Sequence, residues 1–332
     1  TAEQIESAIG MVVAHSIPWR AIRAGKQLSD SKGASAAIST EAAIQHTKRA
    51  MAGFLGPRDI FRNPEAIFRF FEPTTHGAER WKETGDCPFD LVLSHSGDDF
   101  AVMGMHFKLG LYEHQSAGAL QGLIDLIAAN PKIIAEPDGI RQIKIYAYEP
   151  AFGIIGNPMK KSPKTRQSAD HSMAYIVATK LRKAIELGGV DGAGGAHDAA
   201  WKQLMLSPYD YKPDESAIFH PQTRALMDQI DFAHGGAEYD EKYPDGIPTS
   251  IEITHESAGT ISSGLVMYPA GHARNTTADL RDILRHKNAM LGALVSDNCS
   301  EWITRLEGIG SATPSEIQAI YDGAITPRPG YE

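Results

Sequence analysis

Apolar residues at Ile5, Ile9, Val12 and Val13 recur three and four apart behind Thr1, and this spacing predicts a capped amphipathic helix. "KGASAAISTEAAIQHTKRAMAGFLG" continues small and apolar residues at helical spacing, with Gly56-Pro57 as its stop. "NPEAIFRFFEP" predicts a further short helix ended before Pro73, so residues 1–72 read as helical. The period then changes. "FDLVLSHSGDDFAVMGMHFKLG" alternates apolar and polar residues about Gly97-Asp98-Asp99, which predicts a hairpin. "HQSAGALQGLIDLIAANP" returns to a helical rhythm, with Leu120, Leu123, Ile124 and Ile127 on one face. "IRQIKIYAYEP" predicts a strand with Ile143, Ile145 and Ala147 on one side. A long loop, "AFGIIGNPMKKSPKTRQSA", leads to a helix entered at Asp170. Residues 197–236 carry two helical patterns about a turn-rich segment at Pro208 and Pro213. "PTSIEITHESAGTISSGLVMYPAG" predicts a second hairpin, and "ADLRDILRHKNAMLGALV", "SEWITRLEGI" and "TPSEIQAIYDG" close the chain as helices.

Helices, a mixed middle and helices again predict an α+β protein: a mostly helical domain in two discontinuous segments with an inserted α+β lid domain. The boundaries fall near 75 and 272, giving helical residues 1–75, a lid over 76–271 and a returning helical segment over 272–332. No internal repeat or low-complexity tract interrupts this order.

Composition narrows the partners. The chain of 332 residues is 42% hydrophobic and 22% charged, a globular profile. Its net charge of −9 provides no global attraction for nucleic acid or an anionic membrane, so an anion needs a local basic site. No apolar run reaches the ~18 residues of a membrane span. Two cysteines, Cys87 and Cys299, are too few for a disulfide framework or an all-cysteine iron–sulfur site, and they suit a reducing compartment.

Lys108, in "MHFKLGLYEHQSAG", stands where a strand gives way to a helix, with Glu113, His114 and Gln115 following. Such junctions gather side chains and open backbone N–H groups at one rim, which suits an anion. The plainer alternative has Lys108 solvating a strand end while His114 or Gln115 caps the helix. Lys32, in "QLSDSKGASAAI", falls in the first turn of a helix capped by Ser29, Asp30 or Ser31. A cation there opposes the helix dipole; beside Gly33, Ala34 and Ser35 it reads as an anion contact or as an ordinary surface lysine. "MKKSPKTRQSADHS" gathers Lys160, Lys161, Lys164 and Arg166, of which Arg166 can grip a carboxylate with two bonds. In "SADHSMAYIVATK", Asp170 or Ser172 can cap the helix, leaving His171 and Tyr175 to share a face one turn apart. A histidine and a tyrosine beside a cationic loop make a proton-transfer arrangement; a capped helix with a packed tyrosine is the alternative. The 13 histidines form no HExxH, and the sequence holds no paired-cysteine zinc spacing, P-loop, GxSxG elbow or convincing dinucleotide fingerprint.

"SDSKGASAA", "FKLGLYEHQSA", "ADHSMAYIVA" and "YPAGHARN" occur in this order in the 2-methylcitrate dehydratase (MmgE/PrpD) family, and the chain resembles that family over essentially its whole length. "DHSMAYIVA" is the most specific of these motifs. The resemblance is to the 2-methylcitrate dehydratase branch, in a family that also includes cis-aconitate decarboxylases and iminodisuccinate epimerases. It implies a helical domain and a smaller α+β lid with the site in their cleft, polycarboxylate substrates, and no obligatory metal or organic cofactor. Carried over by motif, Lys32, Lys108, His114 and Tyr175 are the expected catalytic residues, with Arg166, Gln115, His171 and Ser172 expected around the substrate. The expected activity is a cofactor-independent dehydration of 2-methylcitrate or a related hydroxytricarboxylate, as in propionate catabolism. Decarboxylation, epimerisation and a non-catalytic carboxylate-binding subunit are the alternatives. The family's N-terminal helical portion, with its own aspartate and histidines, has no counterpart in this sequence, which reads as a fragment, a proteolysed product or one subunit of a split enzyme. The partners implied are a small polycarboxylate and either a second copy of the chain or a chain carrying the N-terminal part, in the cytoplasm or a mitochondrial matrix.

Overall fold

The computed structural model describes residues 1–17, 22, 27–61, 66, 104–154, 156, 160–192, 195–320, 322 and 326. The chain divides into two compact units, Thr1–Gly97 and Asp98–Glu332. Position 75, the first expected boundary, lies outside the described residues, as do most of the "NPEAIFRFFEP" segment and residues 89–103 of the expected first hairpin.

In the first unit, α1 (Ala2–Ser16) packs against α2 (Ser31–Met51). Thr1 caps α1 reciprocally: its hydroxyl accepts from the Gln4 N–H, and its N-terminal amine donates to the Gln4 side chain. The buried face of α1 is Ser7, Gly10 and Met11, whereas Ile5 and Ile9 of the predicted apolar stripe are 61% and 43% exposed. Backbone proximity selects that face, because a Cβ on Gly10 would lie 2.0 Å from the Pro57 carbonyl oxygen and one on Gly56 2.1 Å from that of Ser7. Gly56-Pro57 is therefore a packing contact and not the stop of α2. That helix ends earlier, at Gly53 with φ +91°, where Phe54 N–H donates to Arg49 and Gly53 N–H to Ala50 in a Schellman closure.

The second unit opens with α3 (Ala117–Ala129) and β1 (Ile140–Ala147), followed by α4 (Met173–Glu186), α5 (Pro221–Asp228) and β2 (Ile230–His234). The hairpin of β3 (Thr249–His255) and β4 (Gly259–Ser262) completes a four-stranded mixed sheet in the order β2-β1-β3-β4. β1 runs parallel to β2 and antiparallel to β3, and the parallel pair is joined by the crossover that contains α4. The alternation of β1 is as predicted, with Ile143, Ile145 and Ala147 buried. Leu120, Leu123 and Ile124 of α3, Ile176 and Val177 of α4, and Ile251 and Ile253 of β3 share one buried cluster with them. The fold is α+β.

Two local readings of the sequence are corrected. Residues 230–234, expected inside a helical pattern, form β2, because Ile230 pairs with Ile143 and Phe232 with Ile145 along the open edge of β1. The stretch 151–169, expected as a loop, contains most of the helix Glu149–Ile154, which takes its first residues from the end of the expected strand, and all of Arg166–Ala169. Toward the C-terminus, α6 (Leu280–Gly292) is capped by Asp279 and sends Ile283 into the core of this unit. α7 (Cys299–Glu307) and α8 (Pro314–Ile320) follow. No helix among the described residues is long and apolar enough to cross a membrane.

Candidate active site

The segment that carries Lys108 is irregular, and its backbone is pinned from several sides. Phe107 N–H donates to the Gly271 carbonyl at 2.8 Å and Ala273 N–H to that of Met105 at 2.9 Å, which sets His106 across from His272. Leu111 N–H reaches Leu206 O at 2.9 Å, and the Tyr211 hydroxyl donates to the Leu111 carbonyl. From α6, the Lys287 ammonium donates to the Lys108 carbonyl at 2.7 Å. Glu113 then caps the 3-10 turn His114–Ser116 by accepting the Gln115 N–H at 2.9 Å, so neither His114 nor Gln115 is the cap.

This scaffold brings three imidazoles together. The His106 ring lies 5.9 Å from that of His114 and 6.1 Å from that of His272. Both ring nitrogens of His106 are buried and without a hydrogen-bond partner. Burial, followed by the charges of His114, His272 and Lys108, lowers its pKa to about 3, so the ring is neutral near pH 7. His272 accepts the Arg274 N–H on Nδ1 at 3.1 Å, which leaves the proton on Nε2 when the ring is neutral. His114 is half exposed and lies 3.5 Å from the Glu113 carboxylate. Among the described residues no cluster of His, Cys, Asp and Glu has metal-binding geometry.

The second part of the site is joined to the first by a backbone bond from Glu113 N–H to the Asp170 carbonyl, 2.8 Å long. His114 and His171 each follow that bonded pair by one residue. His171 Nδ1 lies 2.8 Å from the Gln167 carbonyl and in short contact with the Asp170 carboxylate. Both neighbours are acceptors, so Nδ1 carries the proton and Nε2 of the neutral ring presents a lone pair. An aspartate that fixes the tautomer of a partly exposed histidine is a general-base arrangement.

The other expected site residues divide. Ser172 is the helix cap: its hydroxyl accepts from Tyr175 N–H at 3.2 Å and donates to the Lys160 carbonyl at 2.7 Å. Tyr175 is buried in the core, and its hydroxyl donates to the Asp210 carbonyl at 2.5 Å, so it does not share a proton-transfer face with His171. Desolvation first, then the Asp210 charge, pushes that phenol up to about 12. Arg166 begins the single-turn helix before Asp170 and accepts the Asp170 N–H at 3.0 Å on its carbonyl. Gln115 is buried, and its side chain interacts with the Tyr148 hydroxyl. Lys32 stands at the start of α2 in the other compact unit, partly buried.

Sequence reasoning missed His106, His272 and Lys287. His106 precedes Lys108 by one alternation, and His272 sits inside the "YPAGHARN" motif, so both had a signal. Lys287 had none, because only the docking of α6 brings it to Lys108. The assembled groups can hold an anion with ammonium and imidazole donors and move a proton at His171. The chain matches no curated protein. Residues 113–188 match the family model of the MmgE/PrpD C-terminal domain, which places His114, Gln115, Arg166, His171, Ser172 and Tyr175 inside the matched segment. The chain thus carries an MmgE/PrpD C-terminal domain segment, consistent with a member of the MmgE/PrpD family.

Proposed function

We propose that this protein is a cofactor-independent hydro-lyase acting on 2-methylcitrate or a related hydroxytricarboxylate. The observation that carries the reading is the Asp170–His171 pair, tied through Glu113 to the loop that holds Lys108 and His114. Dehydration beside a carboxylate needs a base for a weakly acidic C–H, an acid for the departing hydroxyl, and cations for the charge that develops. In this scheme His171 Nε2 takes the proton from carbon, the electron pair forms the double bond, and protonated His114 gives its proton to the hydroxyl, which leaves as water. Proton exchange with solvent restores both rings. Lys108 neutralises a substrate carboxylate throughout. The chain then belongs to propionate catabolism through the methylcitrate cycle, working as a dimer in the cytoplasm.

The test incubates the protein with 2-methylcitrate, citrate, cis-aconitate and iminodisuccinate and identifies products by NMR. Loss of water from a hydroxytricarboxylate supports the reading. Release of carbon dioxide from cis-aconitate, or inversion of iminodisuccinate, would reassign the reaction within the family. Binding without turnover would make the chain a carboxylate-binding subunit, and no binding at all would end the polycarboxylate reading.

A further inference from the structure

Lys287 and His106 have no role in the scheme above, yet His106 lies on the segment that bears Lys108 and Lys287 is hydrogen-bonded to it. Lys287 is half-buried on α6, and its ammonium rests on the Lys108 carbonyl at 2.7 Å. Desolvation and the Lys108 charge both lower its pKa, and no carboxylate is among the influences on it. The same holds for His106, whose charged neighbours are His114, His272 and Lys108. Arg274, the next cation along, is already neutralised by Asp245. A protein of net charge −9 thus gathers two lysines and three histidines here, and among the described residues the carboxylates beside them, Glu113 at His114 and Asp245 at His272, act on neither Lys287 nor His106. Half-buried like charges without counterions are unfavourable, and buried imidazole nitrogens are normally hydrogen-bonded. An anion bound there would relieve both.

We propose that Lys287 and His106 contact the substrate directly, and with Lys108 form the subsite for one carboxylate of a di- or tricarboxylate. Lys287 supplies charge and His106 a ring N–H, from an imidazole whose two nitrogens have no other hydrogen-bond partner. The inference rests on the polycarboxylate reading but not on dehydration as the reaction. Because the subsite takes a single carboxylate, it distinguishes ligands by how many they carry.

The test titrates the full chain calorimetrically with tricarballylate and with glutarate, which differ by one carboxylate. The unmodified protein should prefer tricarballylate by about tenfold or more, the scale of a charge-assisted bond. Lys287→Met and His106→Gln should each abolish most of that preference, while Lys287→Arg, which keeps the charge, should retain it. Should Lys287→Met fail to fold by circular dichroism, Lys287→Gln replaces it, since its amide still offers a donor to the Lys108 carbonyl. Preference that survives in both charge-removing and His106 variants overturns the inference, as does equal loss in Lys287→Arg. The product assay separates the two levels. If the preference survives and water is still eliminated, the subsite falls and the hydro-lyase stands. If the preference collapses as expected but no substrate is turned over, the subsite stands and the hydro-lyase falls.

Discussion

The proton on His171 Nδ1 is fixed by two acceptors, the Gln167 carbonyl and the Asp170 carboxylate. Asp170→Asn removes the charge that stabilises the imidazolium and weakens the hold on the tautomer. We expect kcat to fall about 10²–10⁴-fold with little change in KM, measured by steady-state kinetics. An unchanged kcat would take the pair out of the reaction. Tyr175→Phe belongs to stability, because it leaves the buried Asp210 carbonyl without its donor. A loss of about 1–3 kcal/mol should appear in urea unfolding; turnover lost at an unchanged midpoint would return Tyr175 to catalysis. His106 adds a pH dependence. Its folded pKa is lowered from 6.5 to about 3, so between those values the unfolded chain binds a proton that the folded chain does not. The associated stability is fully present above about pH 6.5 and is lost as pH falls towards 3. His106→Gln should flatten the slope of melting temperature against pH in that window, and parallel slopes would show a solvated ring.

At the scale of elements, α3 packs tightly on β3. A Cβ on Gly118 would lie 2.7 Å from Thr249 Cβ and 2.8 Å from the Ile247 carbonyl oxygen. Neither can yield easily, one being β-branched and the other backbone. Gly118→Ala should therefore destabilise the second unit by about 1–3 kcal/mol, although alanine is the better helix former. Equal or higher stability in thermal unfolding would mean that α3 can lift away from the sheet. The period of α3 and the alternation of β1 were legible because each buries a continuous stripe against a large neighbour. The stripe of α1 misled, since Ile5 and Ile9 are exposed and Ser7 and Gly10 are buried. Periodicity ranks faces by hydrophobicity, and here close backbone approach at Gly10 and Gly56 chose the face instead.

For the whole molecule, a net charge of −9 makes the local basic cluster more informative than a similar cluster on a basic protein. Attraction of a polycarboxylate to it should weaken as salt rises, through screening. Catalysis in the scheme uses imidazoles and ammonium groups alone, so dialysis against a strong chelator should leave turnover unchanged. Activity lost on dialysis and restored by one divalent metal would overturn that mechanism. The two compact units divide the candidate residues unevenly: Lys32 belongs to the first, and Lys108, His114, Gln115, Arg166, His171, Ser172 and Tyr175 to the second.

Local order in sequence determined the amphipathic helices, the β3–β4 hairpin, the cap options around Asp170 and the basic character of the Lys108 loop. These depend on propensity, period and charge over a few residues. The α+β class followed from their order. Tertiary structure alone decided which cap acts, because Ser172 accepts the Tyr175 N–H while Asp170 is turned to His171. It alone made residues 230–234 a strand, since a five-residue segment pairs wherever an edge is open to it. It alone brought Lys287 to Lys108 and His272 to His106, across 179 and 166 positions of chain, because long-range proximity is set by packing and leaves no periodic trace in the sequence.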